Sequence, residues 1–264
     1  MHTQETSHPA KRLLAFVERN SQIAQGVHLL QVRATSPIDA TPGQFAMLSC
    51  ADAVFLRRPL SIHRISADKR RMSFLFAVLG KGTQWLAKTK QGDSIDILCP
   101  LGNGFNLSPS AKEVLLLAGG IGLAPLVFLA EKALAEDKQV TLAYGTMSSQ
   151  RYHTDLFPRG IELLEYTDDG SYGKRGLVTE CIPYYIDKAS QIFACGPLPM
   201  YRALARIPEL ANKDVQVSLE TRMACGVGVC YGCTIKTTFG QRQVCHHGPV
   251  FSLDSVAWDE MAPI

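Results

Sequence analysis

The stretch EVLLLAGGIGLAPLVFLAEKALAE, residues 113–136, decides the fold. Within it, residues 114–130 run for seventeen positions without a charge, which invites reading them as a membrane span. A span needs about 20 apolar residues, and this run is broken by Gly119-Gly120, Gly122 and Pro125. It reads instead as a buried strand ending at Ala118, a glycine turn, and a helix starting near Pro125. A continuously apolar strand of this kind belongs in a parallel sheet covered on both faces.

Downstream, QVTLAYGT, IELLEYT and SQIFACGP read as further buried strands. A doubly wound parallel α/β sheet is therefore expected over residues 109–212. Upstream the pattern changes to short alternating segments broken by turns: VHLLQVRA, QFAMLSC, RMSFLFAVLG and DSIDILCP. These predict a small antiparallel β-barrel domain over residues 8–108. Residues 213–264 hold most of the cysteine signal and are expected to form a small β-rich third domain. A chain of 264 residues is long enough for such a multidomain arrangement.

Charge narrows the choice of partner. The formal net charge is only +3, and the Lys and Arg residues are scattered, so nucleic acid is a poor fit. The start, MHTQETSHPAKR, is polar and has no apolar signal core. A cytoplasmic protein with no membrane association is expected, its eight cysteines reduced, and clustered ones then point to metal rather than disulfides.

The cysteines cluster in MACGVGVCYGC and RQVCHHGP with spacing C-x4-C-x2-C-x11-C, through Cys225, Cys230, Cys233 and Cys245. This fits a plant-type [2Fe–2S] loop closed by a distant fourth thiolate. Gly226, Gly228 and Gly232 let backbone amides turn toward the cluster. A structural zinc site is the competing reading, although it favours paired C-x2-C units, and unliganded thiols are the third. Cys50, Cys99 and Cys181 read as small buried hydrophobes, as does Cys195 unless its turn gives it another role.

Gly119, Gly120 and Gly122 lie between a strand and a helix, where amides and the helix N-terminus can face a pyrophosphate. Such a turn also occurs with no ligand. FACGPLPM adds Cys195, Gly196 and Pro197 in a second turn at the same carboxyl edge. The acidic residue of the usual dinucleotide fingerprint is missing after the next strand, which reads AYGTMSSQR. In RRPLSI, Arg58 can grip a phosphate, Pro59 fixes the backbone and Ser61 can offer a hydroxyl to a flavin edge. By composition alone Arg57 and Arg58 equally read as a solvated pair.

RPLS, GKGT, PLGNGF, GGIGLAP, TDDGSYGKRGLVTE, CGPLPM and ETRMACGVGVCYGCTIK occur here in the order found in ferredoxin reductase-like flavoproteins. More narrowly, the chain resembles the electron-transfer subunits of NAD-linked (class 1B) dihydroorotate dehydrogenases, over roughly residues 10–255. The resemblance implies FAD held by Arg58, Pro59, Leu60 and Ser61, by the strand Leu75-Phe76-Ala77, and by Gly82 and Thr83. Phe76-Ala77 stands where the family carries an aromatic–Arg pair, which would remove one polar contact. NAD would lie against Gly119, Gly120, Gly122, Ala124 and Pro125 and against Cys195, Gly196 and Pro197. The four cluster cysteines would be the metal ligands, and no side chain would act as nucleophile or base.

The implied activity is two-to-one electron conversion in pyrimidine biosynthesis. Nicotinamide carries two electrons as hydride, an iron–sulfur cluster carries one, and a flavin joins them. The implied partner is an FMN-containing dihydroorotate dehydrogenase catalytic subunit, in an assembly of two of each chain. Docking is expected over residues 224–234, which carry no charge and offer Val227, Val229 and Tyr231. A loop after AY without an early Arg implies NAD rather than NADP, with Arg151 close by. Two alternatives stay open. One is a subunit of the NADPH–ferredoxin transhydrogenase or sulfide dehydrogenase type, whose cluster loop would carry an acidic residue near the first cysteine. The other is a non-catalytic zinc-binding or redox-sensing module.

Overall fold

In the computed structural model, residues 10–149 and 156–261 are described. The first part of the chain forms β1 (Lys11–Ala24), β2 (Val27–Ala34), β3 (Phe45–Leu48), β4 (Arg58–Ile65), β5 (Arg71–Ala77), the short helix α1 (Lys81–Ala87) and β6 (Ser94–Leu101). These strands close into an antiparallel barrel in the order β1-β2-β5-β4-β3-β6. Period-2 alternation explains the closure: Leu13, Ala15 and Val17 of β1 are buried, while Leu14 and Phe16 face outward. Leu30, Val32, Ile62, Phe74, Ile95 and Ile97 fill the interior with them.

The second part begins with β7 (Glu113–Gly119) and α2 (Leu123–Ala135), so the apolar run folds as strand, turn and helix. There follow β8 (Gln139–Thr146), β9 (Glu162–Thr167), β10 (Lys174–Arg175), α3 (Ile182–Tyr185), β11 (Gln191–Cys195), α4 (Leu198–Ala205) and β12 (Val215–Ser218). The chain ends with the hairpin β13 (Thr234–Thr237) and β14 (Gly240–Gln243), then α5 (Val244–His247) and β15 (Val250–Ser252). The sheet order is β10-β9-β8-β7-β11-β12-β15, parallel except where β15 runs antiparallel along β12. The C-terminal segment thus contributes two strands to the nucleotide-type sheet, and the cysteine loop hangs between them.

The barrel docks on the sheet domain through β4 and α2. His63 is fully buried and its Nδ1–H donates to the Ala124 carbonyl (2.9 Å). Beside it, Arg64 Nε donates to Glu131 (2.5 Å) and Nη2 to the Leu156 carbonyl (2.8 Å). Among the described residues no helix is long and apolar enough to cross a membrane.

Candidate functional site

Strand β7 and its neighbour β11 end together, with Cys195 opposite Ala118. The two glycine turns predicted to share an edge are in contact there. A Cβ on Gly122 would lie 2.0 Å from the Cys195 carbonyl oxygen, and one on Gly119 would lie 2.7 Å from Pro197 Cδ. No side chain fits at Gly122, because the obstacle is backbone. Gly120 takes φ 53°, with open space where a Cβ would be, leaving room for a ligand to approach the backbone. Ala124 and Pro125 are buried within α2, and the Ala124 carbonyl is already engaged by His63.

Behind this edge Tyr201 locks the second turn: Gly196 N–H donates to Tyr201 Oη (2.9 Å), which donates to the Ser218 carbonyl (2.6 Å). The Cys195 thiol is pushed up to about 12 by burial, with the Glu220 carboxylate adding to the rise and the Tyr201 hydroxyl opposing it. Burial likewise raises the Glu220 carboxyl. Sequence reasoning did not single out Tyr201, Glu220 or His63. Only their place at strand ends and domain contacts gives them meaning, and no local pattern carries that. Cys99 and Cys181 are buried and pushed up to about 12 by desolvation, and Cys50 is buried too, as expected of inert thiols.

On the barrel, the adjacent arginines divide their work. Arg57 pairs with Asp96 (2.9 Å) and donates to the Asp96 carbonyl (2.8 Å), tying the residue just before β4 to β6. Arg58 instead crosses Gly82, with Nε 2.5 Å from where a Cβ would stand. That Nε is buried with no hydrogen-bond partner. The RPLS and GKGT motifs, about twenty residues apart in sequence, therefore meet and present an unsatisfied cationic donor, which suits an anionic group such as a flavin phosphate. Thr83 Oγ1 accepts from the Leu79 and Gly80 N–H groups (3.0 and 3.1 Å) and so holds its own turn. Pro59, Leu60, Ser61 and Ala77 are half-buried. Leu75 and Phe76 are buried in protein core, Phe76 stacking on His28 at 5.8 Å, so at these two positions the backbone rather than the side chain is available to a ligand.

The cysteine loop brings all four thiols together. Val227 N–H and Cys230 N–H donate to Cys225 Sγ (3.5 and 3.4 Å), Gly228 N–H to Cys245 Sγ (3.1 Å), and Cys245 N–H to Cys233 Sγ (3.4 Å). Burial works to raise the Cys225 thiol, but the Val227 and Cys230 amides and the Cys230 thiol together hold it down to about 6. Cys245, more enclosed and next to the Cys233 thiol, is pushed up to about 12. Among the described residues no three His, Cys, Asp or Glu side chains gather tightly enough for one metal ion. Cys225 interacts with the Cys230 thiol and Cys245 with the Cys233 thiol, while Cys225 also acts on Cys245, a four-thiol donor set that suits a binuclear cluster with two thiolates per iron. Gly226 and Gly228 take φ 74° and 81°, and the third left-handed residue is Tyr231 (φ 59°), not Gly232.

The iron–sulfur cluster binding domain model of dihydroorotate dehydrogenase B matches residues 220–257. Across most of the chain the relatives are electron-transfer subunits of dihydroorotate dehydrogenase B (NAD(+)). That of Caldanaerobacter subterraneus subsp. tengcongensis is 38% identical, covering 81% of this chain and 86% of the relative. That of Listeria innocua is 36% identical, covering 91% and 97%. Among solved structures, one of an NADH-dependent reduced ferredoxin-NADP oxidoreductase, described for flavin-based electron bifurcation, superposes with TM-score 0.85 at 27% identity, covering 93% of this chain and 90% of that one. Phthalate dioxygenase reductase shares the fold, with TM-score 0.66 at 16% identity over 89% and 94%. With thiols, glycine turns and arginine cradle arranged as above, and relatives of this identity over nearly full length, the chain belongs to the family of electron-transfer subunits of NAD-linked dihydroorotate dehydrogenase B.

Proposed function

We propose that this chain accepts electrons at its cysteine loop from an FMN-containing dihydroorotate dehydrogenase catalytic subunit, and delivers them to NAD+ at the glycine-turn edge. The gathering of four thiols, three on a loop that rests against β3 beside the Arg58 strand and the fourth, Cys245, on α5, carries the reading. When bound, the [2Fe–2S] cluster exchanges single electrons and FAD converts them to a hydride for nicotinamide. Cys225, Cys230, Cys233 and Cys245 would ligate the irons, and the amides of Val227, Gly228, Cys230 and Cys245 donate to their sulfurs, stabilising negative charge there. Arg58 would neutralise phosphate on the flavin, with Pro59 to Ser61 along its edge. The turns at Gly119, Gly120 and Gly122 and at Cys195, Gly196 and Pro197 admit the dinucleotide close to backbone amides.

Docking is over the cysteine loop, where Val229 and Tyr231 are 73% and 69% exposed and no charge intervenes. Uncharged, apolar surface of this kind suits a lasting complex rather than charge-steered encounters. Two of each chain related by a twofold axis is the assembly proposed. Co-expression with the catalytic subunit and size exclusion tests it: a co-eluting, coloured complex that reduces NAD+ with dihydroorotate is expected, and Tyr231→Asp should weaken it without loss of FAD. Separate elution at micromolar concentration with no dihydroorotate-dependent NAD+ reduction would sink the reading.

The 27% identity to the bifurcation-linked oxidoreductase over 93% of this chain favours, as second reading, a subunit of a ferredoxin-linked transhydrogenase. The uncharged Gly226-Val227-Gly228-Val229 loop and the higher identity of the dihydroorotate-linked relatives argue for the first.

A further inference from the structure

Strand β3 has two faces with different duties. Ala46 and Leu48 point into the barrel core. Phe45 and Met47 point the other way, into the core shared with Cys233, Val244 and Cys245. On this outer face β3 pairs with β4, Met47 opposite Pro59 and Phe45 opposite Ser61. Neighbouring strands lie about 4.8 Å apart and directly opposed side chains share a face. The strand carrying the flavin motif thus runs beside Met47.

Met47 also touches the cysteine loop. It is fully buried, and a Cβ on Gly226, the residue after Cys225, would lie 2.7 Å from its Cγ and 3.2 Å from its Sδ, with Leu101 Cδ1 at 3.3 Å. Gly226 holds φ 74°, so the loop comes down onto Met47 at a position where a side chain would be both strained and obstructed. The Met47 carbonyl is held in turn by Arg57 Nη1 (3.4 Å), itself paired with Asp96.

We propose that Met47 is a positioning residue for electron passage: its side chain is the spacer that sets how closely the cysteine loop approaches the flavin edge. The proposal rests on the placement of the flavin along Arg58 to Ser61. Shortening the side chain lets the loop settle or tilt, and the separation of the two redox groups ceases to be fixed. A purely structural role would lower stability and cofactor content without acting on this one step.

The test uses the holoprotein carrying FAD and cluster, mixed anaerobically with NADH in a stopped-flow instrument. Hydride from NADH reduces the flavin by two electrons; one then passes to the oxidised cluster and the other stays on the flavin. Flavin bleaching and cluster reduction are followed at separate wavelengths in Met47→Leu, Met47→Val and Met47→Ala. Only variants with full FAD and iron content and an unchanged electron paramagnetic resonance spectrum of the reduced cluster are compared. Flavin reduction is expected to stay at the parent rate. Cluster reduction should depart from the parent rate as the side chain shrinks, by several-fold in the shortest loaded variant, because the loop then no longer holds the cluster at one distance from the flavin. Met47→Leu should restore the parent rate. Parent-rate cluster reduction in the loaded Val or Ala variant, or equal slowing of both steps, overturns the proposal. An Arg58→Ala protein that keeps full FAD would overturn the flavin placement instead, and the two failures are therefore distinguishable.

Discussion

The Arg58 side chain lies across Gly82, with its Nε buried, unpartnered and 2.5 Å from where a Cβ would be. Arg58 and Gly82 thus form one device: the glycine exists to let the guanidinium lie flat under the start of α1. Gly82→Ala should displace the guanidinium, at an overpacking cost of about 1–3 kcal/mol, and release FAD. Arg58→Ala should lose FAD with less effect on the fold. Flavin absorbance per chain and melting temperature check both, and full flavin occupancy in Gly82→Ala would show that the guanidinium is not part of the cradle.

Replacing Cys225, Cys230, Cys233 or Cys245 by Ser should abolish the cluster, which holds two irons per chain in the parent. NADH oxidation by artificial acceptors through FAD should persist, because the thiols sit on a loop apart from the glycine-turn edge. Iron analysis and paired assays decide it. Stoichiometric zinc in the parent, or equal loss of both activities in the variants, contradicts this assignment.

Periodicity made the barrel and the parallel sheet legible. Residues 114–130 announced a strand, turn and helix because glycine and proline interrupt an otherwise uniform apolar run, and the clustering of Cys225, Cys230, Cys233 and Cys245 was legible from their spacing. What stayed hidden was long-range. Nothing local in VQVS and VFS says that β12 and β15 complete a sheet begun a hundred residues earlier, or that Met47 leaves the barrel to meet Gly226. Nor does the GKGT motif itself say that the Thr83 hydroxyl accepts from the N–H groups of Leu79 and Gly80 and so shapes the turn beneath Arg58. Gly232 looked essential for its conformation, yet Tyr231 is the residue that takes the left-handed turn.

The barrel–sheet contact should loosen in acid. His63 is buried against α2, and burial first, then the neighbouring Arg64 charge, lower its pKa to about 4 from the ordinary 6.5. Unfolded chains bind the proton from pH 6.5 downward, whereas the folded chain resists it until about pH 4. Stability contributed by neutral His63 is therefore fully present above pH 6.5 and lost as pH falls to 4, by up to about 3 kcal/mol. His63→Gln, which keeps a donor for the Ala124 carbonyl, should flatten the dependence of melting temperature on pH across this window. An unchanged slope in the variant would assign the acid sensitivity elsewhere.

The dinucleotide preference should be for NADH over NADPH. Strand β8 ends at Thr146, and the described part of the following loop, Met147, Ser148 and Ser149, has no basic side chain for a 2′-phosphate. Gln150 and Arg151, the other residues that bear on this loop, lie outside the described residues. Packed against the loop is the turn after β9: Asp168 N–H donates to the Thr146 carbonyl (3.1 Å) and Ser149 N–H to Ser171 Oγ (2.8 Å). The Ser171 hydroxyl and N–H bind the Asp169 carboxylate and hold it below the usual range. Two acidic residues therefore border the carboxyl edge of β8, supplied by the next strand in place of the acid that the usual fingerprint puts on β8 itself. Negative charge there repels a 2′-phosphate, and a discrimination of at least tenfold in Kd corresponds to about 1.4 kcal/mol. Binding of ADP-ribose and its 2′-phosphorylated form to the holoprotein, measured calorimetrically, reads the preference without turnover. Asp168→Asn should narrow the gap between the two ligands. Asp169→Asn, which releases Ser171 and loosens the turn, should weaken both alike. Equal affinities in the parent chain, or an Asp168→Asn protein with the parent ratio, would remove this turn from the specificity of the site.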